Sequence, residues 1–274
     1  MSRASRNKLN RNLLFAVLVL FSPSSTVFAQ APSAEEVVGR AHRVQFYSGN
    51  DMKAKVWMRL VSKEGQERVR EFMMLRKNIR QASDQRYFIY FYSPADVRDM
   101  TFMVWKHPPR DAERWLFLPA LNMVRRIAAN DKRSSFVGSD FSYEDVSGRE
   151  VEEDTHTFQR EETLDDRPVF VVRSVPKEAT SVGFSYRLSW IDKESFILRR
   201  EQYFDKRNEP YKVFTADEVK QVQGLWTTVR RTMKNVQNGH RTEVSFSQVE
   251  YNVGVPDDLF SERSLRNPPA RWVR

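Results

Sequence analysis

Residues 133–148 read RSSFVGSDFSYEDVSG, the one stretch where the chain stops alternating and turns compact. Gly138 permits a tight backbone, and Asp140 is a residue type that caps or turns a chain through its own carboxylate. Phe141 and Tyr143 fall two apart, on one face of an extended segment. The expectation is a structural corner with its aromatic pair facing inward. Upstream, Trp115-Leu116-Phe117-Leu118 is an apolar strand closed by Pro119, followed by a basic segment carrying Arg125 and Arg126. Downstream, residues 150–154 are mostly acidic, so opposite charges flank the compact stretch. Asp140, Glu144 and Asp145 are the carboxylates packed closely enough to suggest acid/base or calcium chemistry. They lack the glycine-centred spacing of a calcium loop and the opposing pair that glycoside hydrolysis needs, so corner-forming and capping roles account for them.

The succession RWLFLPALNMVRRI (114–127) and SFVGSDFSYEDV (135–146) resembles the outer-membrane lipoprotein-sorting, LolA-like, periplasmic proteins, in the branch associated with RND-type exporters. That resemblance implies a mainly β fold of α+β type, LolA/LolB-like. It consists of one large antiparallel half-open β-barrel with a helical lid, around an apolar cavity for lipid or lipoprotein acyl chains. It also implies an RND-type inner-membrane exporter and an outer-membrane acceptor as partners, with Arg125 and Arg126 offering a surface for a partner or for anionic headgroups. Gly138, Asp140, Phe141, Tyr143 and Asp145 are then structural residues of the motif. No catalytic residue, metal or cofactor is implied.

The amino terminus points to export. Arg3, Arg6, Lys8 and Arg11 form a basic region, and residues 13–21 are an apolar run too short for a stable membrane anchor. Val27-Phe28-Ala29 offers small residues at the positions a signal peptidase reads. Cleavage after Ala29 is expected, leaving residues 30–274 as one lipid-binding domain in the periplasm. The formal charge of +9 falls to +5 when those four basic residues leave. An exported protein seldom meets nucleic acid, so the remaining charge points to anionic lipid, to an acidic partner, or simply to solubility. With 0 cysteines the chain has no disulfides, thiolate metal sites or cysteine nucleophiles, and no lipid-modified cysteine at its start.

Ser33-Ala34-Glu35-Glu36 is a capping box, and Val37, Val38, Ala41 and Val44 make one apolar stripe. A first helix of about three turns therefore runs to residues 48–50. From Met52 the period becomes two: Met52, Ala54, Val56, Met58 and Leu60 face one way, Lys53, Lys55 and Arg59 the other. The returning strand, 66–78, separates its faces less cleanly, and Tyr87-Phe88-Ile89-Tyr90-Phe91-Tyr92 needs cover on both. Further strands are expected at 100–106, 111–121, 155–163, 168–176, 183–192, 197–205, 211–223, 225–235 and 241–253. Connections too short for βαβ crossovers make the sheet antiparallel. In the tail, 256–261 should return Leu259 and Phe260 to the core, and 271–274 should end loose.

Chemistry is sparse. His42, His107, His156 and His240 have no metal-ligand spacing, and the chain contains neither a G-x-S-x-G elbow nor a phosphate loop. What remains is apolar surface: 9 Met, 19 Phe, 9 Tyr and 6 Trp exceed what a thin sandwich needs, and methionine adapts to ligands of variable shape. Together with the resemblance, this assigns Met58, Phe72, Met74, Ile89, Phe91, Met103, Trp105, Phe117 and Trp190 to the cavity wall. The reading is a carrier rather than an enzyme. The alternative is an accessory module of the same fold that senses a ligand and regulates a membrane partner without transport. A hydrolase using Asp140 and Glu144 ranks below both.

Overall fold

The structure, a computed structural model, describes residues 31–79 and 84–273. The expected signal segment and its cleavage site lie outside the described residues. Helix α1 (Ala34–Phe46) forms as its capping residues require, with Ser33 Oγ accepting from the Glu36 N–H at 3.1 Å and Ala34, Val37 and Ala41 buried. From there β1 (Asp51–Val61), β2 (Glu67–Asn78), β3 (Gln85–Ser93), β4 (Thr101–His107), β5 (Arg110–Leu118) and β6 (Met123–Ile127) step outward to one edge of a sheet. Residues 128–153, which include α2 (Tyr143–Ser147), then carry the chain to the opposite edge. The return runs through β7 (Asp154–Leu164), β8 (Arg167–Pro176), β9 (Tyr186–Asp192), β10 (Leu198–Phe204), β11 (Pro210–Val222), β12 (Leu225–Asn235) and β13 (Arg241–Tyr251).

The last strand pairs with the first, Met58 opposite Val244 and Leu60 opposite Thr242, so both meanders share one 13-stranded sheet. Every pairing is antiparallel, and β6 and β7 are left as free edges, so the sheet is open, as a half-open barrel requires. Each expected strand is present. The one strand that the reading did not anticipate is β6, five residues long, basic and at an edge, where the apolar alternation is too short to read.

Two layers cover the first half of the sheet. On the inner face, Val56, Met58, Leu60, Phe72, Met74, Tyr87, Ile89, Phe91, Phe102 and Val104 form one cluster with Phe136, Phe141 and Val146 of the crossing segment. Phe214, Met233 and Val244 from β11 to β13 close on the same cluster, so the sheet curves around residues 128–153 as around a plug. On the outer face, Met73, Leu75, Phe88, Tyr90, Met103 and Phe117 pack beneath the carboxyl-terminal tail. That tail contains α3 (Glu262–Arg266) and α4 (Ala270–Val273). Leu259 and Phe260 return to the core as expected. The loose end does not: Trp272 and Val273 are 8% and 1% exposed, because the outer face of β2 to β5 is itself apolar and needs a cover. Among the described residues no helix is long and apolar enough to cross a membrane.

Candidate functional site

The plug decides what space the sheet encloses. It is built around the motif, which is helical where extended backbone was expected. Ser142 caps α2, its Oγ accepting from the Asp145 N–H at 3.1 Å, while Asp145 Oδ2 accepts from the Ser142 N–H and Oγ at 2.7 and 2.8 Å. Tyr143 is thus the first helical residue and only half-buried, its ring 5.4 Å from Phe102 and 5.5 Å from Phe136. Phe141 does point inward. Gly138 has φ +84°, and the preceding Val137 carbonyl accepts from Arg70 Nε at 2.8 Å, which ties the turn to β2.

Each motif carboxylate has a structural partner. Asp140 Oδ2 meets His240 Nδ1 at 2.6 Å and accepts from Thr242 Oγ1 at 2.8 Å, and its carbonyl accepts from Lys212 Nζ at 2.7 Å. Glu144 is buried between Lys132 and Arg149 at 3.3 and 3.7 Å, and burial pushes its carboxyl above the usual range. At the end of α2, a Cβ on Gly148 would lie 2.6 Å from the Phe46 ring, so this glycine is where plug and α1 touch.

Between plug, sheet and α1 lie three small cavities. One of about 110 Å³ is bordered by Val38, Ala41 and His42 of α1 and by Phe141, Ile191, Leu198 and Met233. A second, of about 60 Å³, lies against Phe46, Met52, Met74, Trp226 and Phe246. The third, of about 20 Å³, is bordered by Met58, Phe72, Met74, Ile89, Phe136 and Phe141. Arg231 of β12 borders all three. Outside them, between α1, the β4–β5 turn and the start of β7, opens a cleft of about 1130 Å³, bordered by many charged residues, that shares His42, Gly148 and Val151 with the 110 Å³ cavity.

The sequence-assigned wall divides between the two faces. Met58, Phe72, Met74, Ile89 and Phe91 come together on the inner side. Met103, Trp105 and Phe117 lie on the outer side, where the Trp105 indole N–H donates to the Phe260 carbonyl at 3.2 Å. Trp190 packs with Val169 and Val171 on the outside of the second half, its N–H donating to Glu162 and the Arg200 guanidinium 5.0 Å from its ring. The physical reason is that β2 to β5 are buried on both faces, so hydrophobicity no longer identifies which parity points inward.

The fold is that of known structures. The chain is similar to a DUF1329 family protein from Desulfovibrio piger, at 26% identity and TM-score 0.79, over 85% of this chain and 97% of that one. It is similar to a putative outer membrane lipoprotein-sorting protein domain from Vibrio parahaemolyticus, at 25% identity and TM-score 0.78, over 85% and 98%. A LolA superfamily protein from Nitrosomonas europaea shares the fold at 16% identity and TM-score 0.67, over 85% and 99%. A family model described only as that of an uncharacterized protein matches residues 83–267. The chain belongs to the family of that model, and its fold is LolA-like. A comparison with curated proteins finds no match.

Within this LolA-like chain, several polar residues of the site went unread in the sequence. Arg76, on the inner face of β2, donates to the carbonyls of Phe46 and Ser48, and Gln85 and Asn78 add bonds of 2.7 Å to Phe46 and Gly49. The carboxyl end of α1 is thereby fastened to β2 and β3. Arg187 of β9 bridges Asp154 at 2.8 Å and Glu201 at 3.5 Å; burial pulls its pKa down, but Glu201 and Asp154 outweigh burial and raise it. Burial, Lys106, Arg187 and Arg43 together push His42 down to about 3. The legible signal was parity: Arg76 follows Phe72 and Met74 at even spacing, and Arg231 stands two before buried Met233. Arg125 and Arg126 sit on the β6 edge, 59% and 65% exposed, away from the cavity linings and next to the exposed Leu121 and Met123.

Proposed function

We infer that this protein is a periplasmic carrier that binds lipid or lipoprotein acyl chains beneath α1 and passes them toward the outer membrane. The observation that carries the reading is the apolar inner face of an open sheet, with contiguous cavities roofed by a single helix. Likeness to a putative outer membrane lipoprotein-sorting domain supports it, as does the basic and apolar pattern of residues 3–29 for export. A water-sized group occupies about 30 Å³, so the 110 Å³ cavity accommodates only about four of them. Cargo therefore enters by displacing α1. The sheet contacts of that helix rest on Val37, Ala34 and Ala41, a loss of about 3–5 kcal/mol on exposure, whereas an acyl chain gains about 0.8 kcal/mol per buried methylene. With its carboxyl end tied by Arg76, Asn78 and Gln85, α1 swings rather than leaves.

The docking partner in this reading is an RND-type inner-membrane exporter. The free edge of β6 supplies a suitable surface: Arg125 and Arg126 for acidic groups or headgroups, Leu121 and Met123 for apolar contact. Native mass spectrometry of the protein purified from its own periplasm tests the carrier directly. A co-purifying lipid that transfers into acceptor vesicles is expected. A bound protein partner with no lipid would instead favour a regulatory module.

A further inference from the structure

Arg231, which borders all three cavities, is left without a role by the carrier reading. Its side chain is half-buried, none of the described residues accepts a hydrogen bond from its guanidinium, and its Nε is buried without a partner. The rings of Phe141 and Phe246 stand 5.4 and 4.9 Å from its guanidinium carbon. The opposing charge that it senses, Asp145, already accepts two hydrogen bonds from Ser142. Burial pulls Arg231 down to about 10 in spite of Asp145, which still leaves it cationic at neutral pH.

The surroundings repeat the pattern. The 60 Å³ cavity is bordered by two arginines, Arg76 and Arg231, and by no carboxylate. Arg76 Nε and Thr228 Oγ1, both at this cavity, are likewise buried without a hydrogen-bond partner. Its other walls include Met52, Met74 and Phe246. Cationic side chains with buried, unused donor atoms favour an anion, and apolar walls favour hydrocarbon, so the two together select a molecule that carries both.

We propose that this cavity receives the carboxylate or phosphate of an anionic amphiphile, with Arg231 as its anchor and Thr228 as a second donor. The proposal rests on the carrier reading and narrows its cargo, since the ester- and amide-linked chains of a lipoprotein bring no such charge inside. It is tested by displacing a neutral naphthylamine probe from the full chain with dodecanoate, with dodecanol and with acetate. Dodecanoate is expected to compete about tenfold or more better than dodecanol, the weight of one charge-assisted hydrogen bond. Acetate is expected to compete far less well. In Arg231→Met the preference should vanish while dodecanol competes as before, and Arg231→Lys should keep part of it. Thr228→Val, a smaller change, should weaken dodecanoate alone. Equal competition by dodecanoate and dodecanol in the unaltered chain, or a preference that survives Arg231→Met, overturns the proposal and leaves the carrier standing. Acetate matching dodecanoate would mean a simple anion site and also overturns it. Failure of both amphiphiles to displace the probe sinks the carrier reading itself.

Discussion

At the scale of single residues, His42 makes acid sensitivity a property of the roof. Its native pKa of about 3 lies below the ordinary 6.5, so as pH falls the unfolded chain takes up a proton that the folded chain refuses. Above about 6.5 the group contributes nothing, and between about 6.5 and about 3 stability falls. The slope is at most about 1.4 kcal/mol per pH unit, a ceiling because the ring is only half-buried. Chemical denaturation across that range should show a shallower acid slope for His42→Gln, and identical slopes would contradict the assignment. Asp140 makes a different forecast, since it pins the plug to His240 and Thr242. Asp140→Ala should lower stability by about 1–3 kcal/mol, read as a lower denaturation midpoint with unchanged m-value. Such inward polar residues are poorly legible in sequence. Arg76 and Arg231 read as wet-face charges until both faces of their neighbourhood are known to be covered.

At the scale of elements, α1 and α2 meet at Gly148, where φ is +79° and the Phe46 ring leaves no space for a Cβ. Gly148→Ala should push the carboxyl end of α1 outward, measured as faster hydrogen exchange in residues 34–46 with the β2–β3 amides still protected. Val37→Asp should free the same helix from the other end, because Val37 is fully buried in a cluster with Phe170, Val172 and Ile191, where a carboxylate is costly. The strands were legible because each alternates with period two between turn residues, and α1 because its capping box and apolar stripe agree. α2 was not, although Ser142 and Asp145 spell its cap: the two-residue spacing of Phe141 and Tyr143 imitates a strand. Nor was the inward parity of β4 and β5. Phe102 and Met103, like Leu116 and Phe117, are adjacent apolar residues that cover opposite faces.

At the scale of the whole molecule, an open sheet of 13 strands wraps a plug formed by its own crossing segment, and one helix roofs what is left. The family resemblance anticipated the open barrel and its helical cover, whereas a plug that leaves only small cavities was beyond what the motif alone conveys. Function in this arrangement depends on the roof yielding to hydrocarbon. Titrating the full chain with neutral n-alkanols of increasing length tests that dependence most directly and independently of Arg231. Affinity is expected to rise about fourfold, or about 0.8 kcal/mol, with each added methylene until the space beneath displaced α1 is filled. An affinity that stays flat with chain length, or no binding at any length, would contradict the account.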